Sequence, residues 1–273
     1  MKNVLTAVLL LAVCPVAAGA SRPRVVSINP CVDAVLVRVA DAEQIAAISH
    51  YSQDPQATSI PLDVAERFAV TSGTAEEVVA LAPDVVLSGP HVAPSTIHTL
   101  ARLKVRLIML PVAESVAEST RQVQLIADVV GAHDRGEELV AAIHDAIAAA
   151  RPRASRPLRA VIWQGGGMVP GQGTLADELL QLSGFRNASA DYGLAKWDVL
   201  PLEPLLAAPP DVVLSVGTGE AGRDRMLGHP AVKKLAAHVS FRTYPFRLLQ
   251  CGGPTIAEAV TRLAAVRREL EGR

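Results

Sequence analysis

Glu76-Glu77-Val78-Val79-Ala80-Leu81-Ala82-Pro83-Asp84-Val85-Val86-Leu87-Ser88 is repeated in near-identical form as Glu203-Pro204-Leu205-Leu206-Ala207-Ala208-Pro209-Pro210-Asp211-Val212-Val213-Leu214-Ser215. Each copy opens on a glutamate, runs through a short apolar helical stretch, reaches Pro-Asp seven residues on, and ends in a buried-type strand. A chain that repeats a unit in this way is expected to build two similar lobes, with equivalent surface points on both. Between the copies, Leu139, Ile143, Ile147 and Ala150 recur at helical spacing, alanines fill the gaps, and Arg151-Pro152 marks a stop. The spacing predicts one helix over 134–150, about 25 Å long at roughly 1.5 Å per residue. The fold class that follows is α/β: two α/β lobes with parallel sheets joined by a single long connecting helix. The expected boundaries are a lobe over 21–132, the connecting segment over 133–152 and a second lobe over 153–273.

Outward from the first copy, Arg24-Val25-Val26-Ser27-Ile28 reads as a strand ending in Asn29-Pro30, with Cys31-Val32-Asp33 opening a helix through Ala40. A second strand over 45–48 leads into the loop His50-Tyr51-Ser52-Gln53-Asp54-Pro55. Thr74 with Glu77 has capping-box spacing. Strands over 85–88 and 105–110 then flank a helix over 95–103. After a helix over 115–130 and the connecting helix, the alternation restarts with a strand over 160–163. Next come the glycine loops Gly165-Gly166-Gly167 and Gly171-Gln172-Gly173-Thr174, a helix over 175–182, and a long loop carrying Tyr192 and Trp197. The second copy is followed by a helix near 230–237, a strand over 239–244, and a last helix starting at Gly252-Gly253-Pro254-Thr255. Strands alternating with helices at this pace predict parallel sheets covered on both faces.

The first residues, Met1-Lys2, apolar Val4 to Val13 and then Ala18-Gly19-Ala20, have the charged end, short apolar core and small-residue cleavage site of an export signal over 1–20. Processing at Cys14 to a lipoprotein is the other route. Pro15 interrupts the apolar run, which argues against a membrane span there. The charge balance of 26 basic against 27 acidic residues is too mild to imply nucleic acid as a partner. In an oxidising compartment Cys31 and Cys251 either form a disulfide or remain two separate buried thiols.

In open parallel sheets the ligand crevice lies beyond the carboxyl ends of the strands. The loops expected there carry Asn29 and Cys31, Tyr51, Gly89-Pro90-His91, Trp163-Gln164, Trp197, and Arg247 with Gln250. Aromatics make up only 3% of the chain, so rings at these positions suit a large, partly flat ligand. Trp163, ending a strand, has core as its alternative placing. Two other chemistries are open at this point. Cys31 at a helix start is a candidate activated thiolate for an enzyme, though no nearby His and Asp spacing completes a nucleophile-base pair. His50, His91 and Tyr51 are candidate ligands for a bare metal ion, without an accompanying His-x-His or acidic cluster. The glycine loops lack the P-loop lysine and the dinucleotide register and read as a ligand loop.

The run Arg24 to Pro30, the Tyr51-Ser52-x-Asp54-Pro55 loop, both Glu-x6-Pro-Asp segments and Trp197 six residues before Glu203 together resemble the periplasmic vitamin B12 and ferric siderophore binding proteins of ABC importers. That resemblance covers the mature chain and implies two lobes on a rigid helix with modest hinge motion. It implies a monomeric periplasmic carrier, not an enzyme, with no cofactor or resident metal. The carrier would capture cobalamin, a ferric siderophore or haem and deliver it to an inner-membrane ABC permease dimer. By the same resemblance Glu76 and Glu203 dock on arginines of the two permease subunits, and Tyr51 and Trp197 match aromatics of the ligand site; with Asn29, His91, Trp163 and Arg247 from the crevice loops they make up the expected ligand-binding set. Gly89 falls where the B12 protein has a tryptophan, and Arg247 stands near a position held there by an acid. A guanidinium there suits the carboxylates of a siderophore or haem.

Overall fold

The structure, a computed structural model, describes residues 22–152, 156–216 and 226–272; the expected export signal over 1–20, with Cys14, lies outside them. In chain order the strands are β1 (Val25–Ser27), β2 (Ile45–Ser49), β3 (Val70–Thr71), β4 (Val85–Ser88), β5 (Arg106–Met109), β6 (Leu158–Trp163), β7 (Met168–Pro170), β8 (Phe185–Asn187), β9 (Trp197–Val199), β10 (Val212–Ser215) and β11 (Ser240–Thr243). The first sheet has the order β3-β2-β1-β4-β5 and the second β11-β10-β6-β8, and every pairing within them is parallel. The two sheets share one plan: β6, β8, β10 and β11 take the places of β1, β2, β4 and β5. Helices make the crossovers that parallel strands require.

The repeated sequence performs the same local task twice. Asp84, just before β4, accepts the Arg24 amide on its carboxylate at 2.7 Å and donates its own amide to the Arg24 carbonyl at 2.9 Å. Asp211, just before β10, holds Arg159 by the same two bonds at 2.7 and 2.9 Å. Each aspartate therefore fixes where a neighbouring strand starts. The side chains of Arg24 and Arg159 then reach back to the carbonyls of Leu81 and Pro209, at the ends of the helical stretches before them.

Alternation along the strands sorts their residues onto two faces. Val25, Val85 and Leu87 in the first sheet, and Ala160, Ile162, Val212 and Leu214 in the second, enter one continuous core with Ile143, Ile147 and Ala150 of the connecting helix His133–Ala150. The opposite faces form smaller cores of their own, Val26 and Val86 with Val78 in one lobe, Val161, Trp163 and Val213 with Leu205 in the other. The connecting helix packs on the helices Val116–Val129 and Thr255–Glu271. Gly136 within it is there for contact: a Cβ would lie 2.5 Å from the Ala127 Cβ. The helix thus gives up roughly 1 kcal/mol of intrinsic propensity for a closer approach. Because the lobes share one core through this helix, they are held as a packed unit.

Several elements depart from the expectations. The long loop expected to carry Trp197 is in part a strand: β9 pairs antiparallel with β7, aligning Pro170 with Trp197 and Met168 with Val199. Three-residue strands are too short for periodicity to reveal. Thr74 accepts the Glu77 amide as a cap should, at 3.4 Å. The Glu77 carboxylate, however, passes over the Thr74 amide and takes the Ser72 amide at 2.7 Å and the Thr71 hydroxyl at 2.8 Å. Those bonds hold that carboxyl below its ordinary range and pin the end of β3 to the helix Ala75–Ala80.

Candidate functional site

A cleft of about 920 Å³, open solvent included, lies between the lobes at the carboxyl ends of β1, β4 and β5. Two helix starts form its floor. From the first lobe, the helix Pro30–Val39 brings Cys31, Val32 and Val35. From the second, the helix Leu175–Leu182 brings Leu175 and Ala176 beside its cap Thr174. Both ends are satisfied internally: Asn29 accepts the amides of Cys31 at 2.9 Å and Val32 at 3.2 Å, and Thr174 accepts that of Asp177 at 3.2 Å. The walls are mostly apolar, with Pro90, Leu110, Pro111 and Val112 from the first lobe and Trp197 from the second, beside the polar Glu114, Ser119, Gln122 and Gln250.

Cys31 and Cys251 are joined by a disulfide across the floor of this cleft. Beside it the Gly253 amide donates to the Ser119 hydroxyl at 2.6 Å. Gly252 and Gly253 are required there, because Cβ atoms would lie 2.4 Å from Ser119 Oγ and 2.8 Å from Val35 Cγ2. At the side, the Glu178 carboxylate of the second lobe accepts the Val116 amide at 2.7 Å, capping a helix of the first. The mouth is bridged by an ion pair between Lys196 and Glu114. With its thiol in a disulfide, Cys31 has no thiolate to act as a nucleophile, which removes the thiol-enzyme alternative.

The structure gathers only part of the expected ligand set. Asn29 and Trp197 line the cleft, Trp197 with 46% of its surface exposed. Trp163 does not: it is fully buried in the outer core of the second lobe, so its core placing is the correct one and the ligand expectation is withdrawn. Its neighbour along the alternation, Val161, shares that face of the interior strand β6. Tyr51 stands outside the described lining, half exposed on a short helical turn after β2, its ring 4.1 Å from that of His50. His91 is exposed on the loop after β4, next to the lining residue Pro90. Arg247 is also off the lining and is ion-paired with Glu258. Among the described residues no group of three or more His, Cys, Asp or Glu is placed to hold a metal ion.

Sequence reasoning missed Glu114, Gln122 and the Leu110-Pro111-Val112 wall, whereas Thr174 lies in the glycine loop read as a ligand loop. Pro111, two residues past the end of β5, was the available signal, since it turns the chain out of the sheet at the crevice edge. Gly89 is explained by its neighbour: a Cβ would lie 2.3 Å from Asn29 Nδ2, so no side chain fits beside the capping asparagine.

Beneath the floor sits Asp33, fully buried in the first turn of the helix Pro30–Val39. Its Oδ2 accepts the Ser49 amide at 2.9 Å and the Ser52 hydroxyl at 2.6 Å, while Oδ1 has no hydrogen-bond partner among the described residues. Burial pushes this carboxyl up to about 7, against the opposing pull of the nearby Ser27 hydroxyl and of the bonds from Ser52 and Ser49. Asp33 thereby ties the cleft floor to the turn that carries His50 and Tyr51.

The candidate docking glutamates occupy matching places. Glu76 is exposed in the first turn of the helix Ala75–Ala80 and Glu203 in that of Leu202–Ala207. Two residues further on, Val78 and Leu205 are completely buried and pin each helix to its lobe. Neither glutamate makes a hydrogen bond or ion pair among the described residues.

Comparison with known proteins places this geometry. Residues 25–240 match the family model described as periplasmic binding protein. No curated protein sequence matches. Among solved structures, the periplasmic heme-binding protein RhuT from Roseiflexus sp. RS-1 in apo form superposes with a TM-score of 0.73 at 23% identity, over 89% of this chain and 97% of that one. The periplasmic heme-binding protein HutB of Vibrio cholerae gives 0.74 at 18% identity, over 89% and 98%. A periplasmic heme-binding protein from Pseudomonas aeruginosa gives 0.70 at 21%, over 89% and 92%. At these identities the likeness establishes the fold.

Proposed function

The chain belongs to the periplasmic binding protein family, and on that premise we propose that it captures a metal chelate, haem before cobalamin or a ferric siderophore, in the cleft between its lobes. The carrying observation is the cleft itself: a mostly apolar slot at the carboxyl ends of the strands, lined by Pro90, Pro111 and Val112 of the first lobe and by an exposed Trp197 of the second. Rigid walls of this kind suit a flat apolar ring system, because stacking buries much area at little entropic cost. The neighbours of the same fold that bind heme support haem as the first choice. The crowding at Gly89, which excludes a tryptophan, speaks against cobalamin. As a family member the chain is a carrier and not an enzyme, serving an ABC importer from the periplasm.

Delivery uses Glu76 and Glu203 in this reading, one on each lobe, against a two-fold permease. Exposed, unpaired carboxylates on helices anchored by Val78 and Leu205 suit that role. Ion pairs of this kind set register and encounter rate more than affinity. Tyr51 and His91 lie at the same sheet edge as the cleft and are the candidate contacts for a ligand that protrudes from it. The test is a titration of residues 21–273 with haem, cyanocobalamin and a ferric siderophore, followed by absorbance and tryptophan fluorescence. Saturable one-to-one binding of haem alone is expected. Binding of cyanocobalamin alone would reassign the cargo, and no binding of any of the three would sink the carrier reading for chelates of these classes.

A further inference from the structure

The cleft is walled by apolar residues, and among the described residues that line it Glu114 is the sole charged one. A lone carboxylate at the mouth of an apolar slot would repel an acidic ligand and gain nothing from a neutral one. Glu114 is not alone, however, because Lys196 reaches across from the other lobe and pairs with it. Both side chains keep nearly half their surface, 46% for Lys196 and 47% for Glu114, so the pair is loosely held and solvent-screened. The backbone around Lys196 is fixed by contrast. Its carbonyl accepts the Gly171 amide at 2.6 Å, and its side chain runs over Gly173, where a Cβ would come within 3.8 Å of Lys196 Cε. The next residue is Trp197, the exposed ring of the cleft wall. A cation is therefore held beside the stacking surface, with its charge occupied by a carboxylate from the opposite lobe.

Resting on the carrier reading above, we propose that Lys196 selects for chelates bearing peripheral carboxylates, and that Glu114 is its resident stand-in, displaced when such a ligand binds. The exchange costs little, since one solvent-screened carboxylate replaces another on the same ammonium. The gain is specificity: a ring system without acid groups leaves the Lys196–Glu114 bridge closed over the mouth. An acidic one opens it and replaces the lost contact. Glu114 can swing out, because it sits on the connection between β5 and the helix Val116–Val129, and among the described residues its carboxylate is held by Lys196 alone, while its amide is tied to the Glu118 carboxylate at 2.8 Å.

The probes are haem, which carries two carboxylates, and haem dimethyl ester, which carries none. With the wild-type protein haem should bind about tenfold more tightly than the ester, a difference that shrinks as salt is raised. Lys196→Met should bring haem down to the level of the ester while leaving the ester unchanged. Lys196→Arg should retain the preference, and Glu114→Gln should raise haem affinity by removing the competitor. Equal wild-type affinity for the two porphyrins would overturn the selection, as would a Lys196→Met variant that weakens both alike, the mark of a structural role. Either result leaves the carrier reading intact. Failure of both porphyrins to bind would remove that reading for haem and this one with it.

Discussion

The two lobes are alike where they are built and unlike where they meet the cleft. Asp84 and Asp211 make the same pair of bonds to Arg24 and Arg159, and Glu76 and Glu203 ride on helices pinned by Val78 and Leu205. Around the cleft the correspondence fails. The first lobe contributes loops straight off β4 and β5, whereas the second contributes the β7–β9 ribbon and the loop ending at Thr174. The repeated part presents a symmetric surface, and the unrepeated part encloses an asymmetric space. A two-fold partner suits the first and an irregular small molecule the second.

The strongest test of the repeated part is function in the cell. Glu76→Ala with Glu203→Ala should abolish uptake while leaving ligand affinity unchanged, and each single variant should retain part of the uptake; wild-type uptake in the double variant would break the symmetry argument. Next comes the bond that joins the lobes. Cys31→Ser with Cys251→Ser should lower unfolding stability by about 2–5 kcal/mol, as expected for losing a disulfide that closes so long a loop, with a single unfolding transition kept by the shared core. Two separate transitions in a melt would show the lobes to be independent.

Asp33 sharpens the difference between the lobes through pH. Its folded value of about 7 lies above the ordinary 3.8, so ionising it costs more in the fold than in the unfolded chain. Its protonated form supports stability fully below about pH 4, and that support is lost as pH rises through 7, a change on the order of 4 kcal/mol. Asp33→Asn should flatten this slope, gaining on the wild type between pH 4 and 8 in denaturant titrations. Parallel pH profiles for the two proteins would contradict it. The smallest effects belong to the strand clamps: Asp84→Ala and Asp211→Ala should each cost about 1 kcal/mol, the worth of exposed hydrogen bonds, and by similar amounts. Unequal costs would mean that the two frames are not equivalent.

What the sequence disclosed follows the same division. Glu76 to Ser88 and Glu203 to Ser215 were readable because both period and punctuation are local, and the connecting helix because Leu139, Ile143, Ile147 and Ala150 keep a helical stripe. Of the expected ligand contacts only Asn29 and Trp197 line the cleft, although the loops expected at the crevice also brought Cys31, Gly89, Pro90 and Gln250 to its lining. Trp163 could not be placed, because its burial depends on which face of β6 packs against Leu205 and Val213, contacts far away in the chain. Glu114 and Lys196 look like ordinary surface charges until the lobes bring them together. The Cys31–Cys251 pairing likewise needed the final helix to dock on the first lobe before it could be read.

The most direct measurement is an equilibrium titration with haem, followed by absorbance, of the wild type beside Trp197→Ala. Saturable one-to-one binding, weakened about tenfold or more once the exposed ring is removed, is the predicted result. Unaltered affinity in Trp197→Ala would put the ligand somewhere other than the cleft between the lobes.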